Sequence, residues 1–218
     1  MILIYTIITF KYFYSSNNNY NAMIKIVIYI ILFASFTTNA QVNKNDPDLL
    51  KKYTKALKSY NKENDSVKNP AQYYYKRGGI RQDYFDLEGA VTDYSKTIYF
   101  SPDYVKAWYN RGLAKLDLSL LKEAERDFDR AIDLDPKNVH AYNNRGICKD
   151  YMQNFPGAIR DYSAAIELDS TYAEAYNNRG ISKIKMGQND EGCEDLHKAM
   201  KLGDKKSERN IKKLCDKK

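Results

Sequence analysis

Arg77-Gly78, Arg111-Gly112, Arg145-Gly146 and Arg179-Gly180 recur at a constant spacing of 34 residues. No other feature constrains the fold as tightly. A unit that short cannot bury its apolar face alone, so consecutive units must stack and share one continuous core. Such an array offers surface for holding other proteins rather than a pocket for chemistry.

Aligned on the Arg-Gly pairs, four units begin at Ala71, Val105, Val139 and Ala173 and cover 71–104, 105–138, 139–172 and 173–206. Position 4 of each is Tyr74, Trp108, Tyr142 and Tyr176. Position 20 is small (Ala90, Ala124, Ala158, Gly192) and position 24 is large (Tyr94, Phe128, Tyr162, Leu196). Position 27 is Thr97, Ala131, Ala165 and Ala199, and position 32 is Pro102, Pro136, Ser170 and Asp204. Each unit reads as two helices. Ala107, Trp108, Arg111, Ala114 and Lys115 fall at helical spacing, and so do Ala124, Phe128, Ala131 and Leu134. Asp135-Pro136 ends a helix, because the residue before proline avoids the α region. Pro156 suits a first helical turn, where its missing N–H costs nothing. Small residues at positions 8, 20 and 27 let paired helices approach, and the aromatics fill the space between.

Over residues 71 to about 206 this pattern resembles the tetratricopeptide repeat family. The resemblance implies an all-α, right-handed solenoid of helix-turn-helix units, non-catalytic and built for protein binding. Three departures stand out. Arginine replaces the usual leucine at position 7, and a basic residue (Arg81, Lys115, Lys149, Lys183) replaces the usual tyrosine at position 11. Both belong to a familiar Arg-Gly subtype. The fourth unit lacks Ala and Pro at positions 20 and 32, as a degenerate terminal repeat does.

The formal charge of +7 is concentrated near the end, in Lys201, Lys205, Lys206, Arg209, Lys212, Lys213, Lys217 and Lys218. No nucleic-acid motif accompanies that charge, so it reads as the solvated face of a last helix and no nucleic-acid partner is expected. At the other end, Met23-Ile24-Lys25, the apolar run from Ile26 to Phe36 and the small residues of Thr38-Asn39-Ala40 have the layout of a secretory signal peptide. Residues 1–22 fit that layout poorly, which points to Met23 as the true start. The expectation for residues 1–40 is export, periplasmic or secreted, with cleavage before Gln41. The competing reading is an uncleaved membrane anchor, the one case in which the membrane is a partner. Residues 41–70 form a polar linker with one amphipathic helix, opened by Asp46 and Pro47 and striped by Leu49, Leu50, Tyr53, Leu57 and Tyr60. That helix serves either as a cap on the first repeat or as a docking helix. Asn61 to Pro70 reads as a loop.

Enzyme chemistry has little to stand on. The two histidines, His140 and His197, sit in different units, and no Cys-x-x-Cys, His-Glu-x-x-His or glycine-rich phosphate loop occurs. No catalytic residue, metal site or cofactor is expected.

Arg77, Arg111, Arg145 and Arg179 at position 7 are matched by Asp93, Asp127, Asp161 and Asp195 at position 23. In an antiparallel helix pair the two positions lie at similar height. A ladder of Arg–Asp pairs within or between units follows, since the guanidinium fork can hold a carboxylate in two places; the alternative is an anion-binding row. Cys148 sits on the packed side of its helix as a small core residue. Cys193 opens the second helix of the fourth unit, and Cys215 lies near the end of a capping helix, roughly Asp204 to Cys215, within the basic segment 207–218. If that helix packs antiparallel to its predecessor the two cysteines meet, and an exported protein permits a disulfide; otherwise they are two unrelated thiols.

The resemblance implies that positions 2, 5, 9, 12 and 13 of the first helices line a groove for a partner protein or peptide. These include Tyr75, Gln82, Lys106, Tyr109, Leu113, Asp117, His140, Asn143, Ile147, Asp150, Tyr151, Asn177, Ile181 and Lys185. Leu113, Ile147 and Ile181 make an apolar stripe, with Tyr109 and Tyr151 as the expected anchors. Some family members clamp a chaperone's C-terminal carboxylate with lysines, asparagines and an arginine at positions held here by Tyr75, Gly79, Asn110, His140 and Asn144. Only Asn110 matches, so that clamp is not expected.

Overall fold

The computed structural model describes residues 47–63 and 68–216. Met23, the run from Ile26 to Phe36, Thr38-Asn39-Ala40, Asp46, Lys217 and Lys218 lie outside the described residues. The chain divides into two compact units, residues 1–52 and 53–218. Of the first, only residues 47–52, the opening of helix α1 (Pro47–Glu63), are described.

The second unit begins with the rest of α1 and continues through four helix pairs. They are α2 (Pro70–Asp83) with α3 (Leu87–Phe100), α4 (Val105–Asp117) with α5 (Leu121–Leu134), α6 (Val139–Tyr151) with α7 (Phe155–Leu168), and α8 (Ala173–Lys185) with α9 (Asn189–Lys201). A final helix, α10 (Lys205–Leu214), packs on α9 and α8. All regular structure among the described residues is helical, and each pair stacks on the next to make an all-α solenoid. Two boundaries differ from expectation. Helix α1 runs on to Glu63, and α2 starts at Pro70, because Asn69 caps it by accepting from the Gln72 amide and proline fits the first turn.

The Arg-Gly glycines explain how closely the paired helices approach. A Cβ on Gly78, Gly112 or Gly146 would sit 2.8, 2.8 or 2.6 Å from the ring of Tyr94, Phe128 or Tyr162. Position 8 therefore has room only for hydrogen, and the aromatic at position 24 takes the space. The fourth unit solves the problem differently. Its position 24 is the smaller Leu196, and its helices close until Gly180 and Gly192 nearly touch, so that a Cβ on either would meet the other's carbonyl oxygen at 2.7 Å. Its departure at position 20 is thus a packing requirement rather than degeneracy.

The turn between paired helices has one recurring geometry. Phe85, Ser119, Gln153 and Gly187, all at position 15, are left-handed with φ of 62°, 61°, 61° and 83°. Only the last is glycine, the residue that adopts this conformation without a steric penalty. At the amino end of the array, the Tyr53 hydroxyl donates to Asp86, the Tyr60 hydroxyl to the Tyr73 carbonyl at 3.2 Å, and the Tyr73 hydroxyl to Asn61 at 2.9 Å. Tyr60 stacks on Tyr73, so this part of α1 covers the first pair.

Candidate functional site

Residues 106, 109, 113 and 117 lie on one stripe of α4, and 140, 143, 147, 151 and 174, 177, 181, 185 repeat that stripe on α6 and α8. The first helices of adjacent units contact one another, α4 with α6 and α6 with α8, whereas no pair of second helices approaches comparably. The stripes therefore join into the inner face of the array. At its centre Leu113, Ile147 and Ile181 form a row of half-buried aliphatic side chains. Lys106 and His140 stand exposed along one edge, with the His140 ring edge-on to Tyr172. Asp117, Tyr151 and Lys185 stand exposed along the other.

Part of the expected groove is occupied by the fold itself. Asn110 donates to the Tyr75 hydroxyl at 3.1 Å, Asn144 to the Tyr109 hydroxyl at 2.9 Å, and Asn178 to the Asn143 carbonyl oxygen at 3.1 Å. Position 6 of each unit thus bonds position 5 of the unit before. Asn143 and Asn177 are buried, and Asn177 also accepts from Ser207 at 3.2 Å and Asn210 at 2.8 Å of α10. These asparagines join units together rather than face a partner. Tyr109 is half-buried against Phe128, and burial raises its hydroxyl pKa. Tyr109, one of the two expected anchors, is thus tied to the next unit, while Tyr151, 68% exposed, has the more accessible ring. Asn110, the one match to the carboxylate clamp, is consumed in the same bonding.

Asp150 and Gln82 also move out of the groove. The Tyr94 hydroxyl donates to Gln82 at 2.8 Å and the Tyr162 hydroxyl to Asp150 at 3.3 Å. Where position 24 lacks a hydroxyl, as in Phe128 and Leu196, position 12 is apolar, Leu116 and Ile184. A buried hydroxyl needs an acceptor, and position 12 supplies one only where it is needed. Asp150 further accepts from Ser182 at 2.8 Å and meets Lys185 at 3.7 Å.

Behind the inner face runs the Arg–Asp ladder. Arg77, Arg111, Arg145 and Arg179 each donate through Nε and Nη2 to both oxygens of Asp93, Asp127, Asp161 and Asp195, at 2.6 to 2.9 Å. Each buried aspartate receives a second cation from position 11: Arg81 at 3.1 Å, Lys115 at 2.7 Å, Lys149 at 2.8 Å and Lys183 at 3.0 Å. The remaining Nη1 reaches back to the preceding unit, from Arg111 to Ser95 at 2.9 Å, Arg145 to Asp129 at 2.8 Å and Arg179 to Ser163 at 3.0 Å. Each of the four guanidiniums also lies over the aromatic at position 4 of its own unit, Tyr74, Trp108, Tyr142 or Tyr176. Burial opposes the charge on Arg145, but its hydrogen bonds to Asp161 and Asp129 outweigh it and hold its pKa above the ordinary value. With every aspartate already held by two cations and every position-7 fork filled, the ladder reads as a structural device rather than an anion-binding row.

Cys193 and Cys215 form a disulfide with a Cα–Cα distance of 5.9 Å. Cys193 lies one turn inside α9 rather than at its opening, and Cys215 follows the last residue of α10. Asp204 caps α10 by accepting from the amides of Lys206 and Ser207. Cys148 is a buried free thiol whose pKa burial pushes up to about 12. Among the described residues no three His, Cys, Asp or Glu side chains are grouped to hold a metal ion, and no helix is long and apolar enough to cross a membrane.

A family profile described as Tetratricopeptide repeat matches residues 105–138, and one described as TPR repeat matches residues 151–191. These two stretches of the array are thus tetratricopeptide repeats. No curated protein matches the chain in sequence. Among solved structures, MamA is 24% identical with a TM-score of 0.65, the match covering 72% of this chain and 91% of MamA. YrrB, a tetratricopeptide repeat protein with an unusual peptide-binding site, is 22% identical with a TM-score of 0.65, covering 82% and 98%. The first tetratricopeptide repeat domain of Spaghetti, bound to an HSP90 peptide, is 24% identical with a TM-score of 0.53, covering 54% and 93%. At these identities the likeness speaks to the fold. Against the ordinary tetratricopeptide repeat pattern, the two basic departures of this chain form one device, a pair of cations on a single buried aspartate.

Proposed function

We propose that this chain is a non-catalytic interaction module that holds an extended segment of a partner protein on the inner face of its repeats. One observation carries the reading. The fold covers the apolar side chains at positions 20, 24 and 27, yet leaves Leu113, Ile147 and Ile181 as an uninterrupted half-open row flanked by exposed polar side chains. A row of this kind is what stacked repeats use for recognition. The peptide-binding site of YrrB and the bound peptide of the Spaghetti domain give the same fold the same kind of use.

The compartment we propose is exported, periplasmic or secreted. The signal-like layout of residues 23–40 supports it, and so does the Cys193–Cys215 disulfide, which persists where the surroundings oxidise. The competing reading keeps the same groove on a membrane-anchored component of an envelope assembly. N-terminal sequencing of the protein from its own host separates them, since a mature chain starting near Gln41 excludes the anchor. The groove itself is tested with Ile147→Asp combined with Tyr151→Ala. Capture of partner from envelope extract should be lost while circular dichroism and melting stay near wild type. Capture surviving in the folded double variant would remove the inner face from consideration.

A further inference from the structure

The acids of the array are mostly answered from within it. Asp93, Asp127, Asp161 and Asp195 each hold two cations, Asp129 holds Arg145, and Asp150 holds Ser182 and Lys185. Asp117 is different. Its tip reaches solvent on the inner face, yet the surrounding wall strips enough water to raise its carboxyl pKa. Among the described residues no cation, hydroxyl or amide bonds to it. It is also the last residue of α4, where the helix's terminal carbonyls add further negative potential.

One unit along, Tyr151 is the last residue of α6 and occupies the same position 13. Helices α4 and α6 are in contact, and packed helices lie about 8–10 Å apart. An unpaired carboxylate and a tyrosine ring that is 68% exposed therefore stand at the same level on adjacent helices, a spacing that one long cationic side chain can bridge. A turn deeper on those helices lie Leu113 and Ile147. Of the equivalent positions in the other units, Asp83 of the first is also acidic, whereas Lys185 of the fourth would repel the same cation and keeps it from that end of the groove.

We propose that the bound segment is a basic peptide, with a lysine or arginine seated between Asp117 and Tyr151 and apolar neighbours on Leu113 and Ile147. This specificity rests on the inner-face reading given above. An ion pair and a cation–π contact supply the preference, and an acidic segment is turned away.

A random peptide library displayed on phage is panned against the full chain, and the recovered sequences are resynthesised and titrated by fluorescence anisotropy. Recovered peptides should carry lysine or arginine next to apolar residues. Asp117→Asn should weaken them about threefold. Asp117→Lys should abolish binding, and replacing the peptide's basic residue with glutamate should restore it. Ile147→Asp should abolish binding of every recovered peptide. Peptides without a recurring basic residue, or affinity unchanged by Asp117→Asn while Ile147→Asp still abolishes it, would overturn the charge preference and leave the groove standing. Binding that survives Ile147→Asp, or a library yielding no binder, would overturn the groove and this inference together.

Discussion

Replacing Arg145 with alanine should destabilise the array by about 3 kcal/mol, and the structure supplies each part of that figure. Asp161 is 4% exposed and receives both Nε and Nη2 of Arg145 at 2.9 and 2.6 Å. Removing one partner of a buried pair costs about 3–5 kcal/mol because the other charge stays buried. Lys149 remains on Asp161 at 2.8 Å and holds the loss to the lower end of that range. The same substitution removes the bond to Asp129 and the stacking on Tyr142, the latter worth about 0.5–1 kcal/mol. For a chain of this size, 3 kcal/mol corresponds to roughly 6–12 °C in Tm. Urea denaturation followed by circular dichroism measures it, with Arg145→Lys as the control that keeps the charge and loses the fork. A cycle with Asp161→Asn should return a coupling of about 2 kcal/mol. A urea midpoint for Arg145→Ala equal to wild type would show that the ladder contributes nothing to holding the paired helices together.

Other substitutions test the packing. Gly146→Ala should cost about 1–3 kcal/mol, because its Cβ would lie 2.6 Å from the buried Tyr162 ring, whereas Gly79→Ala, with nothing within 4 Å, should stabilise by about 0.5–1 kcal/mol; paired urea titrations decide it. Leu120 stands at the N-cap of α5 without a side-chain bond where Asp86 and Asn154 cap their helices, so Leu120→Asp should raise stability by about 1 kcal/mol in the same assay. Reducing the Cys193–Cys215 bridge, which closes a separation of 22 residues, should cost about 3 kcal/mol in the chain-entropy treatment and expose the amides of α10 to hydrogen exchange. Cys148, buried with its pKa raised to about 12, is almost wholly protonated at pH 8 and should resist thiol reagents until the chain unfolds.

The ladder was legible in sequence because Arg and Asp recur in register, and recurrence at a fixed spacing survives any uncertainty about helix boundaries. Position 11 was legible only as a departure, since its partner is an aspartate already assigned to another cation. The groove was legible as a set of faces and not as a set of free side chains. Helical periodicity places Tyr109, Asn143 and Asn177 on the inner stripe, but not the reach of Asn144, Asn178 or Asn210 from the neighbouring helix. A signal for this was present, as Asn110, Asn144 and Asn178 repeat at position 6. The pairing of Tyr94 with Gln82 and Tyr162 with Asp150, against Phe128 with Leu116 and Leu196 with Ile184, was equally readable as a hydroxyl that needs an acceptor. The left-handed turns at Phe85, Ser119 and Gln153 carried no signal, because glycine marks that position only in the fourth unit.

Site-specific photo-crosslinking in the native host locates the bound segment on the array. A benzoylphenylalanine at position 147 on the inner face is compared with one at position 130, where Arg130 is exposed on α5. Binding in the groove predicts a partner adduct from position 147 and none from position 130. Adducts from position 130 alone would place the partner on the outer helices and rule out the inner face.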